Sequence, residues 1–378
     1  MVSAETVFWI AAAIPAYVYV GYPLLLVLLR LVVRRPVRKA PIEPTVSVLV
    51  PAYNEERVIA DKIRNLLALD YPPDRLELAI AVDGSSDGTA EIVRLAADGS
   101  RVRAFIYETN SGKLQVLNDT VPHLRGEILA FSDAASMLEP DAIRRLVANF
   151  ADPAVGAVSG VYRVRKTEGV RLGGQEDFYW KYETFLKAQE AALGSILGAH
   201  GSLYAIRRAL YPFPAPGIIN DDYVIPLRIL QRGFRVAYEP GAVAVEEARE
   251  MGGFSRRVRI MAGNVEQLRE LMPLLRPPRP MPLFFFFSHK AGRLLVPPAL
   301  VALAVSNALL LHLPLYRFFA WLQVVFYALV VLGSVWRLRP GVLRLPYYFC
   351  MINSALFVWL YYRLTRPARA TAWGAARG

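Results

Sequence analysis

Cysteine is almost absent from the 378 residues: Cys350 is the single one, and it sits in an apolar stretch. No disulfide can form within the chain, and no Cys-based zinc cluster can be built. Acid is missing from a long region. The last 98 residues hold ten Lys or Arg and no Asp or Glu, and the first 40 hold five cations and one acid. With a formal net charge of +12, the basic excess therefore lies at the two ends, and the middle of the chain is close to neutral. That distribution speaks against nucleic acid as a partner. Two phosphate-binding signatures are missing as well. No G-x-G-x-x-G follows the first strand pattern and no Walker lysine motif occurs, which argues against a dinucleotide site and a P-loop.

What the chain has in excess is apolar length: 54% of residues are hydrophobic and 20% charged, unlike an ordinary soluble domain. Thr6–Val33 carries no charge before Arg30 and exceeds the roughly 20 residues that cross a bilayer. Arg34, Arg35, Arg38 and Lys39 follow it. Charges behind the run, rather than ahead of it, argue against a cleaved signal peptide. The positive-inside rule then places residue 40 onward in the cytoplasm and the N-terminus outside. Residues 294–313, 317–336 and 345–362 are further candidate spans. Leu283–Lys290 is aromatic and ends in a cation, as expected of a segment lying along the interface. Arg337, Arg339 and Arg344 mark a cytoplasmic loop, whereas a full crossing by 345–362 would leave Arg363, Arg366, Arg369 and Arg377 outside. The expected total is three to four spans in a multi-pass inner-membrane protein.

Residues 41–248 have another texture. Val46–Val50, Leu76–Val82, Arg101–Tyr107 and Glu127–Phe131 read as strands, with helices over 55–69 and 89–97. Strands alternating with helices of this length point to a parallel, helix-covered sheet. Ligands of such sheets sit at the carboxyl ends of the strands, and the polar motifs lie there: Tyr53-Asn54-Glu55 after the first strand, Asp83-Gly-Ser-Ser-Asp87-Gly88 after the second, Ser132-Asp133 after the fourth. Each motif alone is ordinary turn and cap chemistry; together they argue for one functional edge. Residues 249–290 read as amphipathic interfacial helices and 291–378 as the C-terminal transmembrane region.

These motifs resemble those of the membrane-bound family-2 glycosyltransferases, the group of the cellulose, chitin and hyaluronan synthases, over roughly residues 45–270. VSVLVPAYNEERVI resembles the opening strand and nucleotide-contacting turn, and AVDGSSDGT the uracil-reading aspartate motif. NSGKLQVLND resembles the GK element, FSDAAS the DxD motif, NDDYVIPLRILQRGFRV the TED-type helix start and RRVRI the QxxRW motif. The resemblance implies a GT-A fold, Rossmann-like with a mostly parallel sheet. It places Pro51, Ala52, Tyr53, Glu55, Asp83 and Lys113 at the donor nucleotide, with Arg256 and Arg259 at its phosphates. Asp133 becomes the metal carboxylate for Mg2+ or Mn2+, and Asp222 the catalytic base with Asp221 beside it. Two departures stand out. Ala135 replaces the second DxD carboxylate, which implies weaker metal binding, and Ile260 replaces the acceptor-side tryptophan, which weakens a processive reading.

Transfer from a nucleoside-diphosphate sugar needs the diphosphate held, the acceptor hydroxyl deprotonated and water kept out. Asp222 suits the second task, with a helix N-cap as its alternative role. Arg256 and Arg259 suit phosphate, or a basic face under the bilayer. His200, in Gly198-Ala-His200-Gly-Ser202, is an acceptor-side candidate or a polar surface residue. Gln175–Trp180, with Tyr179, Trp180 and Tyr182, reads as an interfacial aromatic belt or as a sugar-stacking surface, the belt being preferred. The expected activity is inverting transfer of a sugar, UDP-linked, to a polysaccharide or lipid-linked glycan acceptor with a β-linkage. A non-catalytic nucleotide-sugar sensor and a processive, translocating synthase are the alternatives, and a homo-oligomer stays open.

Overall fold

The computed structural model describes residues 3–97, 101–165, 173–215, 218, 220–247, 258, 261–263, 265, 268, 279–335 and 345–365. Strands β1 (Val46–Ala52), β2 (Leu76–Asp83), β3 (Val102–Tyr107) and β4 (Ile128–Phe131) fall on the β-branched runs of the sequence. They are joined by β5 (Met137–Leu138), β6 (Val155–Arg165), β7 (Tyr204–Arg207) and β8 (Arg235–Glu247) in one sheet of order β3-β2-β1-β4-β7-β6-β8-β5. The first half is parallel: β1 lies between β2 and β4, with Ala52 beside Val82 and Leu49 beside Phe131. β7 runs antiparallel between β4 and β6, and β5 antiparallel to β8, while β6 and β8 are parallel. The Rossmann-like half is thus the part legible as alternating strands and helices; the sheet as a whole is mixed.

Alternation along β1 builds two cores. Val46, Val48 and Val50 face α3 (Ile59–Leu67), α4 (Thr89–Ala97) and α6 (Ala142–Ala148). Leu49, Leu129 and Phe131 face α5 (Lys113–Thr120), α7 (Gly173–Ala192) and α8 (Asp221–Gln231). Opposite side-chain directions at successive strand positions require such a double-sided core. Tyr22, Leu26, Phe285 and Phe286 join the second core, so the apolar helices pack on the face that carries α7 and α8.

Three described helices are long and apolar enough to cross a membrane: Ala4–Val32, Pro280–Leu309 and Pro314–Ser334. The first consists of α1 (Ala4–Ala16), a π-helical turn (Tyr17–Gly21) and α2 (Tyr22–Val32). The second consists of α9 (Pro280–Phe285), a π-helical turn (Phe286–Ala291) and α10 (Gly292–Leu309), and the third is α11 (Pro314–Val335). Leu283–Lys290, set apart in the sequence as interfacial, thus continues directly into a span. The reason is local: no residue between Leu283 and Gly292 interrupts the helix, and the π-turn absorbs the change of register. A further helix, α12 (Leu345–Thr365), packs Ala355 against Val258 and Met261 of the amphipathic segment.

Candidate active site

The carboxyl ends of β1, β2 and β4 open into one cleft, lined by Pro51, Ala52, Tyr53, Glu55, Asp83, Lys113, Asp133 and Ala134. Every donor-side residue singled out from the sequence that is described lies on this lining. Arg256, Arg259 and Ile260 fall outside the described residues. Gly263 of the same segment does reach the residue before α8: a Cβ on it would run into the Asn220 side chain.

Two neighbouring turns shape the cleft floor. Asn54 takes a left-handed φ of 54°, a conformation Asn tolerates because its short amide bonds locally. Its Oδ1 accepts from Ser86 N at 2.9 Å, and its own N–H donates to Ser85 Oγ at 3.0 Å. Asp87 accepts from the Thr89 and Glu56 amides, so this carboxylate closes a turn. Gly84 has φ +59° and packs against the backbone of Thr109 and Asn110; only glycine permits that approach. The approach lets Asp83 accept from four donors of the next loop. Ser111 N and Oγ reach Oδ1 at 2.7 and 3.3 Å, and Asn110 Nδ2 and Gly112 N reach Oδ2 at 3.1 and 2.9 Å. Asp83 is 2% exposed. Its carboxylate therefore fastens the loop that ends at Gly112, the residue before Lys113 and α5.

Lys113 is the hub. Its Nζ lies 3.0 Å from Asp133 Oδ1 and 3.1 Å from Asp221 Oδ1. Burial works against its charge, but Asp133 first, then Asp221 and Asp222, outweigh it and hold the amine above its ordinary pKa. Asp221 opens α8 behind the cap residue Asn220, and neither acid serves as the N-cap. Tyr204 OH donates to Asp221 Oδ2 at 3.1 Å, which fixes Asp221 as a buried structural partner of Lys113. Asp222 is pushed up to about 6, by burial first and by the Asp221 charge second, against the opposing pull of Lys113 and Lys187. Gly201 sits between the acids: a Cβ there would lie 3.2 Å from Asp222 Oδ2 and 3.6 Å from Asp133 Oδ2.

His200 is part of an aromatic cluster. Its ring stacks on Tyr162 at 4.9 Å and 7°, meets Trp180 edge-on at 4.7 Å, and its Nδ1 lies 2.9 Å from Ser202 Oγ. Trp180, expected in an interfacial belt, instead packs inward on this loop. Two further residues bear on the site. Lys62 is fully buried beneath the Asp133 loop, donating to Ser132 Oγ at 2.7 Å and to Ser136 O. Lys187 donates to Ala199 O at 3.1 Å. Lys62 left a trace in the sequence: it shares the apolar stripe of α3 with Ile59, Ile63 and Leu66, where a lysine must find partners. Tyr204 and Lys187 left none.

The donor set suits a hard cation only in part. Asp133, Asp221 and Asp222 around one lysine leave a net negative site, and Asp133 has the most exposed side chain of the Lys113 partners, 48% against 6% for Asp221. Among the described residues, no three acidic, His or Cys side chains gather closely enough to hold a metal by themselves. One protein carboxylate complemented by phosphate and water oxygens is a normal environment for Mg2+ or Mn2+.

Residues 44–262 match the family described as glycosyltransferase-like family 2. Among curated relatives, the poly-beta-1,6-N-acetyl-D-glucosamine synthase of Staphylococcus aureus (strain COL) is 28% identical over 229 residues, 59% of this chain and 55% of the relative. The synthase of the same name from Staphylococcus epidermidis is 26% identical over 238 residues, 61% of this chain and 57% of the relative. The match thus spans little more than half the length of these relatives. Among solved structures, a mannosyltransferase from Pyrobaculum calidifontis in complex with GDP-mannose and Mn2+ superposes with a TM-score of 0.72 at 26% identity, covering 95% of this chain and 99% of that one. The family match extends over more than half of the chain and the fold agrees over nearly all of it: the protein belongs to glycosyltransferase family 2, as a GT-A enzyme attached to apolar helices that could cross a membrane.

Proposed function

We propose that the protein transfers a sugar, with inversion, from a cytoplasmic nucleoside-diphosphate sugar to a glycan or lipid-linked acceptor at the bilayer surface. The observation that carries this reading is the convergence of Asp133, Lys113, Asp221 and Asp222, with Gly201 bordering the carboxylates of Asp222 and Asp133. UDP is the donor nucleotide expected from the motifs; the solved neighbour takes GDP-mannose with Mn2+, and the curated relatives are named for a β-linked polymer.

In this reading the turn at Pro51–Glu55 and the loop fastened by Asp83 receive the nucleotide, and Lys113 meets the diphosphate. Asp133 would hold a divalent cation, Mg2+ or Mn2+, which when bound neutralises the charge gathering on the leaving diphosphate. Asp222 takes the proton of the acceptor hydroxyl as its oxygen forms the bond to the anomeric carbon. The bond from that carbon to the phosphate oxygen breaks, and the nucleoside diphosphate leaves with the electron pair. One base facing one leaving group supports a single displacement, and hence a β-linkage from an α-linked donor. A base raised toward neutrality by burial is suited to the task.

The test is nucleoside-diphosphate release by the purified protein in lipid nanodiscs, over a panel of UDP- and GDP-sugars with Mg2+ or Mn2+. One donor should support turnover, and Asp222→Asn should reduce it about a thousandfold with nucleotide binding retained. Binding without turnover for every donor would instead identify a nucleotide-sugar sensor.

A further inference from the structure

A cluster of buried charges lies away from the cleft, where the sheet domain meets the apolar helices. Glu183, Lys187 and Glu190 share one face of α7 at spacings of four and three residues, and they are 6%, 9% and 2% exposed. Glu190 Oε1 accepts from Tyr22 OH of the first span at 2.6 Å and lies 2.7 Å from His289 Nδ1 of the second. Glu183 pairs with Arg293 of the second span at 2.9 Å and lies 3.4 Å from His289 Nε2. Both spans depart from α-helical winding at this level, at Tyr17–Gly21 and Phe286–Ala291, and Tyr17 OH lies 2.7 Å from Ser288 Oγ between the two turns. Burying ions costs stability unless their geometry is needed, so such a lock calls for a task.

Lys187 supplies the link to the reaction. Its Nζ donates to Ala199 O, and Ala199 N donates to Asp222 O at 2.8 Å. Two residues on, Gly201 borders the carboxylates of Asp222 and Asp133. We propose that Lys187 is a positioning residue, tying the 198–202 loop and the backbone of Asp222 to a helix locked onto the first two spans, so that those spans set the placement of the base. The inference rests on the reading of Asp222 as the base. It adds a dependence of the acceptor side, and not of the nucleotide side, on the seating of the transmembrane pair. The nucleotide-side contacts at Asn54, Asp83 and Gly112 come from loops that α7 does not touch in this network.

The full chain in lipid nanodiscs provides the test, with Lys187→Met, Lys187→Arg and the distant Glu190→Gln. Hydrogen exchange is read at 198–203 and 221–224, UDP and GDP affinities are measured by titration with Mn2+, and turnover is followed where a donor is found. Lys187→Met should speed exchange in both stretches about tenfold, lower kcat about 10- to 100-fold and leave nucleotide affinity within about twofold. Lys187→Arg should restore most of both effects. Glu190→Gln should loosen the same stretches although it touches neither. Exchange changes confined to α7 and the spans in Glu190→Gln would overturn the proposal, as would a loss of nucleotide affinity parallel to kcat in Lys187→Met. If Lys187→Met fails to fold, the isosteric Glu190→Gln and the Arg variant still decide through exchange. Wild-type turnover that survives Asp222→Asn would refute the base assignment separately, leaving the exchange result to judge the anchor.

Discussion

Gly201→Ala separates the chemistry from the fold. The glycine adopts no left-handed φ, so alanine fits the backbone, and Gly→Ala at a compatible site stabilises by about 0.5 kcal/mol through the unfolded chain. The added methyl would stand 3.2 Å from Asp222 Oδ2, with Asp222 Cγ and Asp133 Oδ2 both at 3.6 Å. The first of these lies inside ordinary van der Waals contact, so the Asp222 carboxylate must yield by a few tenths of an ångström, which on the proposed reading shifts the base. Misplacement on that scale costs about 10- to 100-fold in rate. Thermal unfolding and nucleotide titration should therefore be unchanged or slightly improved while turnover falls. A Gly201→Ala enzyme with turnover within twofold of wild type would place the reacting atoms elsewhere and refute the reasoning.

Other expectations follow from the same geometry. Asp222 works as a base only when ionised, and its carboxyl is raised to about 6, so kcat should hold above that pH and fall about tenfold per unit below it; a flat profile down to pH 5 would contradict the assignment. Lys62 is lowered to about 7 by burial, with Asp133 opposing. Between pH 7 and about 10 the unfolded chain binds this proton and the folded chain does not, so stability should rise with pH there by about 1 kcal/mol per unit. Comparison of thermal unfolding across that window with Lys62→Met, which should lose the slope, isolates the group. Asp83→Asn places an NH2 against the donors of Ser111 or Gly112 and should weaken UDP and GDP binding alike, by about tenfold. Loss for UDP alone would make Asp83 a reader of the base and not a fastener of the loop.

The parts of the site that the sequence disclosed are those made by short-range chemistry at strand ends. A strand that stops at Pro51, Asp83 or Phe131 and turns on Asn, Gly or Asp announces its polar edge within a few residues, and three such edges on a parallel half-sheet must point the same way. β6 and β8 escaped this reading because they pair across some 80 residues of chain; β7 is legible as the strand-like Leu203–Ile206, but no hairpin turn marks its antiparallel place between β4 and β6. The mixed half of the sheet is nonetheless what brings the 198–202 loop, which immediately precedes β7, over Asp133. The acceptor side was therefore the part least visible beforehand.

The division of labour between Asp221 and Asp222 shows the same limit at the scale of one residue. In the sequence they are adjacent acids at a helix start, and either could cap the helix or serve as base. Groups far along the chain distinguish them: Tyr204 and Lys113 both reach Asp221, while Gly201 borders the Asp222 carboxylate. Burial first, and the neighbouring Asp221 charge second, then raise the Asp222 carboxyl above its ordinary pKa. On the proposed reading, the setting of Asp222 thus comes from a tyrosine, a lysine and a glycine that lie far from it in the chain and meet it only through the fold.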